Sequence, residues 1–281
     1  MTRFALRAGC VIQASLMASL AVTGVLWPAW AMTQMTGLDR AWDSATVSLM
    51  RMHTGSDLVL LAGFLLVAWR PVASLSLFVA CASATLGHGL VHVTLSGAPN
   101  CPAHNGALVG LLGALPLLLA ALFPWREAVA CWRSPAPASR VVQGLLAVQV
   151  AMLAGIGAYG VLAPGPAMTL LAGQAADWHP ATLALMRMHT ATDLGVGLGL
   201  ALAMIAPLSS GGVVLLGLAA NLAHATVHIL EELEGGHHAM QVPGANALPI
   251  GLLLLATASL VYAFPWRAAW HVSRAESNGS R

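Results

Sequence analysis

The stretch Leu49-Met50-Arg51-Met52-His53-Thr54 occurs again, 136 residues later, as Leu185-Met186-Arg187-Met188-His189-Thr190. The same shift relates further polar and aromatic positions: Gln13 and Gln149, Trp42 and Trp178, Asp57 and Asp193, His88 and His224, His92 and His228. After an insertion in the second copy, Phe123-Pro124-Trp125-Arg126 matches Phe264-Pro265-Trp266-Arg267. Self-similarity at a fixed period indicates an internal duplication. The sequence therefore predicts two tandem units, residues 1–134 and 135–281.

The composition places the chain in a membrane. Hydrophobic residues make up 58% of the 281 residues and charged residues only 8%, and the mean hydropathy is +0.78. A soluble domain carries roughly 25% charged residues. All twelve basic residues other than histidine are arginines, scattered singly along the chain. Because a nucleic-acid partner requires a basic patch, we exclude that class of partner and expect the lipid bilayer instead.

Hydropathy predicts eight membrane spans, four in each unit. They lie near 9–30, 46–69, 72–95 and 107–125, and near 141–163, 181–206, 209–231 and 246–266. Each is close to the ~20 residues needed to cross the hydrocarbon core, and none alternates as a barrel strand does. The predicted fold is therefore an all-α polytopic membrane protein with eight transmembrane helices as two tandem four-helix repeats. An even number of spans per unit puts the two repeats in parallel orientation.

The distribution of charge predicts the orientation in the membrane. Nine arginines fall on one side of the predicted spans: Arg3, Arg7, Arg70, Arg126, Arg133, Arg140, Arg267, Arg274 and Arg281. The acidic loops, including the segment 231–244, fall on the other side. By the positive-inside rule, we expect a multi-pass protein of the cell membrane with both termini cytoplasmic. The first helix resembles a signal peptide, but its place in the repeat favours an uncleaved span.

Histidines and aspartates recur on facing helices of each unit. The second helix carries His53 and Asp57 at a spacing of four, and the third carries His88 and His92 at the same spacing. Such spacings put side chains on one helical face. His53 and His88 both lie seven residues, or ~10 Å, from the predicted outer ends of their helices. The sequence therefore predicts a metal site near the outer face of each unit. Its ligands are His53, Asp57, His88 and His92 in the first unit and His189, Asp193, His224 and His228 in the second.

A buried carboxylate is the reason to expect a cation. An ionised aspartate at membrane depth costs about 2.5–3.5 kcal/mol on insertion scales, and a bound metal compensates that charge. Three imidazoles and a carboxylate suit zinc, iron or copper, whereas magnesium and calcium prefer oxygen ligands. Met50 and Met186 lie on the same ridge and, as soft ligands, would favour copper. The alternatives are methionines that only pack, histidines that only hydrogen-bond, and aspartates paired with Arg51 and Arg187 across helices.

Four further residues are candidates for cofactor binding. Thr85 and Asn221 occupy equivalent positions a turn below His88 and His224, where they could orient an imidazole as outer-shell partners do. Arg51 and Arg187 precede the histidines of the second helix in each unit and could contact haem propionates or lipid phosphates.

Three alternative functions remain open at the level of sequence. A b-type haem protein needs one axial histidine from each of two helices, and His53 with His88 would qualify. The duplicated eight-helix plan resembles haem A synthases, but their paired histidines lie on different helices of the unit and their Glu/His-Arg signature is absent here. An intramembrane zinc hydrolase of the ceramidase-like kind would use an aspartate, H-x-x-x-H and a metal-bound water. A scaffold held together by polar side chains is the third alternative. We expect a metal ion as partner, with redox chemistry or metal handling as the first interpretation; whether the protein is an enzyme stays open.

Overall fold

A computed structural model describes residues 2–95, 106–132, 139–172, 176–233 and 247–270. Within these ranges the chain is almost entirely helical and forms no strand. The helices are α1 (Thr2–Leu26), α2 (Pro28–Thr36), α3 (Ser44–Trp69), α4 (Leu75–Leu95), α5 (Gly106–Leu122), α6 (Trp125–Trp132), α7 (Arg140–Leu162), α8 (Pro164–Ala172), α9 (Pro180–Ile205), α10 (Gly211–Leu233) and α11 (Ala247–Ala263). The predicted all-α class is therefore confirmed.

Six helices in the described part of the chain are long and apolar enough to cross a membrane: α1, α3, α4, α7, α9 and α10. A seventh candidate is the pair formed by Gly113–Leu122 and α6, which is bent by 76° at a short break. The segment Ile250–Ala263 in α11 is apolar but shorter. The structure therefore supports a polytopic helical membrane protein with six or seven candidate spans, and eight spans stay a prediction.

Capping residues explain where several helices begin and end. Asp43 caps α3, because its carboxylate accepts a hydrogen bond from the backbone N–H of Thr46 at 2.8 Å. His179 caps α9 in the same way, with Nδ1 accepting from the N–H of Ala181 at 3.2 Å. Gly37 ends α2 with a φ of 67°, a left-handed conformation that glycine adopts without strain. The starts of the two longest helices are thus fixed by local chemistry.

Helices α3 and α9 form the centre of the bundle. Helix α1 packs along α3, α7 packs along α9, and α3 and α9 contact each other. A hydrogen bond joins the hydroxyls of Thr46 and Thr182, whose oxygens are 2.7 Å apart. Close approach depends on glycine: a Cβ built on Gly24 would lie 2.2 Å from Cγ2 of Thr54, and one on Gly195 would lie 2.3 Å from the backbone nitrogen of Ala84. The other long helices, α1, α4, α7 and α10, thus pack on these two central helices.

The third long helix of each half packs more extensively on the central helix of the other half than on that of its own half. Helix α4 packs far more extensively on α9 than on α3, and α10 packs more extensively on α3 than on α9. The sequence leads one to expect α3 and α4 as direct neighbours, because a very short connection joins them. That expectation holds only in part: α3 and α4 do contact each other, at His53 and His88 and at Leu60 and Cys81, but they pack less extensively on each other than α4 packs on α9. The two halves of the chain are therefore interlocked.

The bundle has two apolar cores, one toward each end of α3 and α9. We call the end where α3 and α9 begin the methionine end, because its core contains six buried methionines: Met32, Met50, Met52, Met168, Met186 and Met188. We call the opposite end, where α3 ends at Trp69 and is followed by Arg70, the arginine end. The larger core extends toward it and includes Phe64 and Phe78. Polar side chains of α3, α4, α9 and α10 lie between these two cores.

Candidate metal centre

Three predicted ligands of the first half come together inside the bundle. His53 and Asp57 of α3 meet His88 of α4, and their ligand atoms all lie within 4.8 Å of one another. His53 Nε2 lies 3.8 Å from Asp57 Oδ2, and the rings of His53 and His88 have centroids 4.8 Å apart. His53 and Asp57 are 2% and 5% exposed. We call this group cluster 1.

The second half of the chain forms the same arrangement. His189 and Asp193 of α9 meet His224 of α10, again with ligand atoms within 4.8 Å of one another. His189 Nε2 lies 3.7 Å from Asp193 Oδ2, and the rings of His189 and His224 have centroids 5.0 Å apart. All three residues are buried. We call this group cluster 2, and it shows that each half supplies an equivalent His/Asp/His set.

Each cluster lies inside the helical bundle at a defined depth. His53 is nine residues after Ser44, where α3 begins, which corresponds to about 14 Å at 1.5 Å per residue. The sequence places it somewhat nearer the helix start, because the predicted span begins two residues later than α3. His88 lies seven residues before the end of α4 at Leu95, as predicted. The first half therefore brings its ligands together well below the methionine end.

Several polar atoms of the two clusters lack a hydrogen-bond partner. These buried atoms are His53 Nδ1, Asp57 Oδ1 and His189 Nδ1. A buried polar atom without a partner costs about 1–3 kcal/mol, and most such atoms in folded proteins are paired. The same imidazole nitrogen is unpaired at positions 53 and 189, so the feature is common to both clusters. A set of nitrogen and oxygen atoms of this kind fits a small cation or an ordered water that would bind the unpaired atoms.

The second histidine of each third helix adjoins its cluster. His92 is 5% exposed, and its Nε2 lies 3.0 Å from His88 Nε2, within hydrogen-bond distance. Their rings stack with centroids 4.9 Å apart. His228 is also 5% exposed and lies one turn after His224 on α10. The structure thus brings His92 to cluster 1 through His88, and buries His228 beside cluster 2 on the same helix.

The two clusters touch each other across the centre of the bundle. The rings of His53 and His189 have centroids 6.3 Å apart at an interplanar angle of 87°. The hydroxyl of Ser56, which belongs to the first half, lies 3.3 Å from His224 Nε2 in cluster 2. Sequence reasoning did not identify Ser56, although its place directly before Asp57 and opposite Thr192 in the repeat was a signal. Four histidines, two aspartates and one serine therefore form a continuous polar region.

A small cavity opens beside cluster 1. It has a volume of about 20 Å³ and is lined by Met17, Leu20, Asp57, Thr85 and His88. A space of this size, with a carboxylate and an imidazole in its wall, accommodates one water molecule. Cluster 1 therefore has room for one small non-protein ligand next to its ligand atoms.

The other candidate residues lie near the clusters with different contacts. The Thr85 hydroxyl donates to the Cys81 carbonyl at 2.8 Å, and the Asn221 amide donates to Gln149 Oε1 at 3.0 Å. Neither bond reaches an imidazole, so their predicted role in orienting a ligand stays a prediction. Thr85 does line the cavity beside His88.

Arg51 and Arg187 are half-buried on α3 and α9, two residues before His53 and His189. Asp57 Oδ2 lies 3.8 Å from the His53 imidazole, and Asp193 lies beside His189 in the same way. The proposed contacts of the two arginines with propionates or phosphates stay predictions. Comparison with protein-family models, with curated proteins and with solved structures finds no match for this chain.

Proposed function

We propose that the protein is an integral membrane metalloprotein in which cluster 1 and cluster 2 each bind one transition-metal ion. The observation that carries this proposal is the convergence of two imidazoles and a carboxylate within 4.8 Å, found in both halves of the chain. His92 and His228 would complete the donor sets. The unpaired buried atoms of His53, Asp57 and His189 add support, because a cation relieves the cost of burying them.

The geometry suits a small transition-metal ion. Metal–nitrogen and metal–oxygen bonds of about 2.0–2.2 Å place tetrahedral ligand atoms roughly 3.3 Å apart. The His–Asp separations of 3.8 and 3.7 Å are close to that value, so small side-chain rotations would complete each site. Zinc, iron and copper all accept imidazole with carboxylate.

The methionine end favours copper among these metals. Six buried methionines lie in one apolar core, and Met50 and Met186 are each three residues before a cluster histidine. Thioether sulfur selects monovalent copper over zinc or iron. An ion entering from this end would pass from sulfur ligands to the His/Asp clusters, which suits copper binding, delivery or one-electron chemistry. We therefore propose copper as the metal and redox chemistry or metal handling as the function.

The proposed arrangement in the membrane follows from charge and repetition. Helices α3 and α9 have 26 residues each and start 136 residues apart, and α5 and α11 have 17 residues each. We infer two parallel four-helix units, residues 1–134 and 135–281, with α5–α6 and α11 supplying the fourth span of each. The arginine end would face the cytoplasm with both termini, and the clusters would open to the outside of the cell membrane.

A zinc hydrolase is the second candidate, and the cavity beside cluster 1 is the observation that favours it. A water in that 20 Å³ space would lie next to Asp57 and His88, as a metal-assisted hydrolysis requires. The same small volume and the 4.8 Å separation of the His53 and His88 rings disfavour a haem between these two histidines, since a porphyrin would have to fit between the rings. Metal content and the visible spectrum separate these candidates.

Metal analysis of the purified protein tests the proposal. The protein in detergent is loaded with copper, desalted, and analysed for copper, zinc and iron together with a visible spectrum. We expect two copper ions per chain and no Soret band. His53→Ala with Asp57→Asn should leave one ion per chain, and the same changes at His189 and Asp193 should leave the other.

The matched control is His179→Gln, which removes a histidine from the methionine end without touching either cluster and should keep two ions. Size-exclusion chromatography shows whether each variant stays folded. Unchanged metal content in folded cluster variants would sink the proposal, stoichiometric zinc would favour the hydrolase, and a Soret band would favour haem.

A further inference from the structure

A second cavity lies at the arginine end, far from both clusters. Its volume is about 150 Å³, and it is bounded by the end of α3, the start of α4, the start of α10 and the segment 266–270. Arg70 supplies a cationic side chain in its wall, beside the indoles of Trp69 and Trp270. The proposed metal function uses none of these residues.

The structure holds Arg70 in a defined position. Its guanidinium carbon lies 4.4 Å from the ring centroid of Trp69 and 5.4 Å from that of Trp270. The Ser74 hydroxyl donates to the Arg70 carbonyl at 2.6 Å, which fixes the corner between α3 and α4. A guanidinium that stacks on aromatic faces keeps its N–H groups directed along its own plane, the geometry that matches phosphate oxygens.

The start of α10 adds a second source of positive potential. A single 3-10 turn, Leu208–Ser210, runs directly into α10 at Gly211, so that this helical segment begins at Leu208; Leu208, Ser209, Gly211 and Gly212 all line the cavity. The first backbone N–H groups of a helix have no partner within the helix, and the helix dipole favours an anion there. Arg70 and the α10 start thus face the same space from two sides.

The equivalent corner of the repeat lacks this group of side chains. The shift of 136 places Ile205 and Ala206 where the first half has Trp69 and Arg70. The shift of 141 that relates the last helices places Val129 opposite Trp270. If these side chains only anchored the bundle at the membrane surface, the equivalent corner would need them equally. The departure from the repeat therefore points to a ligand at one corner only.

Apolar walls indicate what kind of anion this is. Leu66 and Leu215 line the cavity and are 38% and 50% exposed on the outer surface of the bundle, where lipid chains would lie. Trp69 is 60% exposed at the same corner. We propose that this cavity binds an anionic phospholipid, with its phosphate against Arg70 and the α10 start and its acyl chains along Leu66 and Leu215. An amphiphile satisfies both kinds of lining, and free phosphate satisfies only one.

Native mass spectrometry tests this proposal on the full chain in detergent. Phosphatidylglycerol and phosphatidylcholine with the same acyl chains are titrated separately, and the one-lipid adduct is quantified. We expect phosphatidylglycerol to bind preferentially, and Arg70→Gln to weaken its binding by about tenfold, because a charge-assisted contact to phosphate is lost. Trp270→Leu, which removes one stacking surface, should weaken it by a smaller factor.

The matched control is Arg126→Gln, which removes an exposed arginine from the same end of the bundle and should change binding less than twofold. Equal binding of the two lipids, or equal losses in Arg70→Gln and Arg126→Gln, would overturn the proposal. Competition by glycerol 3-phosphate as strong as by phosphatidylglycerol would also overturn it, in favour of a free phosphate site. Monodisperse elution of each variant separates loss of binding from loss of folding.

Discussion

Burial inside a membrane costs free energy at Asp57 and Asp193, and the proposed metal ions would offset that cost. Each is at least 95% buried and lies within 4 Å of one imidazole nitrogen, that of His53 or His189. A single imidazole at 3.7–3.8 Å does not offset the desolvation of a buried carboxylate. A bound cation does, so the same side chains that weaken the metal-free bundle would stabilise the loaded one.

Met50 and Met186 give a test that separates a thioether ligand from a packing residue. Both are almost fully buried in the core of the methionine end. Changing both to leucine conserves volume and should cost less than about 1.5 kcal/mol of stability. If their sulfurs hold monovalent copper on its way to the clusters, the affinity for Cu(I) should fall by about tenfold. Competition with a chromophoric Cu(I) chelator measures this affinity.

The control for this experiment is Met152→Leu, a half-buried position on α7 outside the methionine core, where we expect no change in copper affinity. Zinc affinity, which does not depend on thioether sulfur, should be the same in all three proteins. Equal Cu(I) affinities for the double variant and the wild type would show that these methionines only pack.

At the residue scale, the sequence is most informative where the same histidines and aspartates recur in both halves. Spacing on one helix places His53 beside Asp57, and the structure brings His88 to them as predicted. The position of Ser56 beside Asp57 marks it as a candidate, but its partner His224 was not predictable. It depends on which half α10 packs against, and duplicated sequences fit either partner equally well. The Asn221–Gln149 hydrogen bond was missed for a different reason, because it joins α10 to α7 within the second half and neither residue's spacing indicates that contact.

At the scale of single elements, the cap that His179 forms at the start of α9 makes the stability depend on pH. Burial lowers the pKa of His179 below its ordinary value of 6.5, and Arg40 lowers it further, against an opposing effect of Asp43. The cap needs a neutral imidazole, because Nδ1 accepts the hydrogen bond from Ala181. The unfolded chain therefore binds the proton more tightly. The stabilisation is fully present above pH 6.5 and is lost as the pH falls from there toward the lower pKa of the folded state.

Replacing His179 by asparagine should remove this pH dependence while keeping the cap. Asparagine is a good N-cap residue and does not titrate. Relative to the variant, the wild type should lose up to about 1 kcal/mol of stability between pH 7 and pH 5, the usual worth of a cap. Thermal unfolding in detergent across this range measures the difference. Parallel stability curves for the two proteins would contradict the assigned role.

Gly195 makes the close packing of α4 on α9 possible. A Cβ at this position would lie 2.3 Å from the nitrogen and 2.4 Å from the Cα of Ala84. Backbone atoms cannot rotate away, so Gly195→Ala should force the two helices apart and cost about 1–3 kcal/mol. Bound metal should also decrease, since Asp193 lies two residues earlier on α9. Thermal unfolding and metal analysis together measure both effects.

Gly155 on α7 is the matched control, because an added Cβ there meets nothing within 4 Å. Gly155→Ala should stabilise the protein by about 0.5–1 kcal/mol through helix propensity. If Gly195→Ala were as stable as Gly155→Ala, the inferred helix contact would be wrong.

At the element scale, the sequence predicts helices better than it predicts their ends. Hydropathy locates the long spans, but α3 begins at Ser44 because Asp43 caps it, a signal the hydropathy profile does not contain. The short helices α2 and α8 were missed, since each continues the apolar run of the preceding span after a proline. Helix α6 was missed because α5 ends at Leu122 and the chain bends by 76° near there.

At the scale of the whole molecule, the two halves depend on each other. Helix α4 of the first half lies along α9, and α10 of the second half lies along α3. Cluster 1 and cluster 2 are adjacent through His53 and His189. This interlocking could not be predicted from the sequence. A duplication indicates two similar units, but it does not indicate which helices of one unit pack on the other. The interlocking also implies that neither half can complete its packing alone, so both proposed metal sites need the whole chain.

Splitting the chain between residues 134 and 135 tests this dependence. Each half expressed alone should bind no stoichiometric copper, because α4 or α10 loses the helix it packs on, and co-expression should restore both sites.

Thr46→Cys with Thr182→Cys then reports the contact between α3 and α9 directly. The two hydroxyl oxygens are 2.7 Å apart, so the Cβ atoms should lie within reach of a disulfide. Oxidation should link the co-expressed halves into one band on a non-reducing gel. Thr46→Cys alone is the control and should give no linked band, since the second half, residues 135–281, contains no cysteine. Copper bound by a single isolated half, or the absence of a crosslink in a folded pair, would rule out the interlocked arrangement.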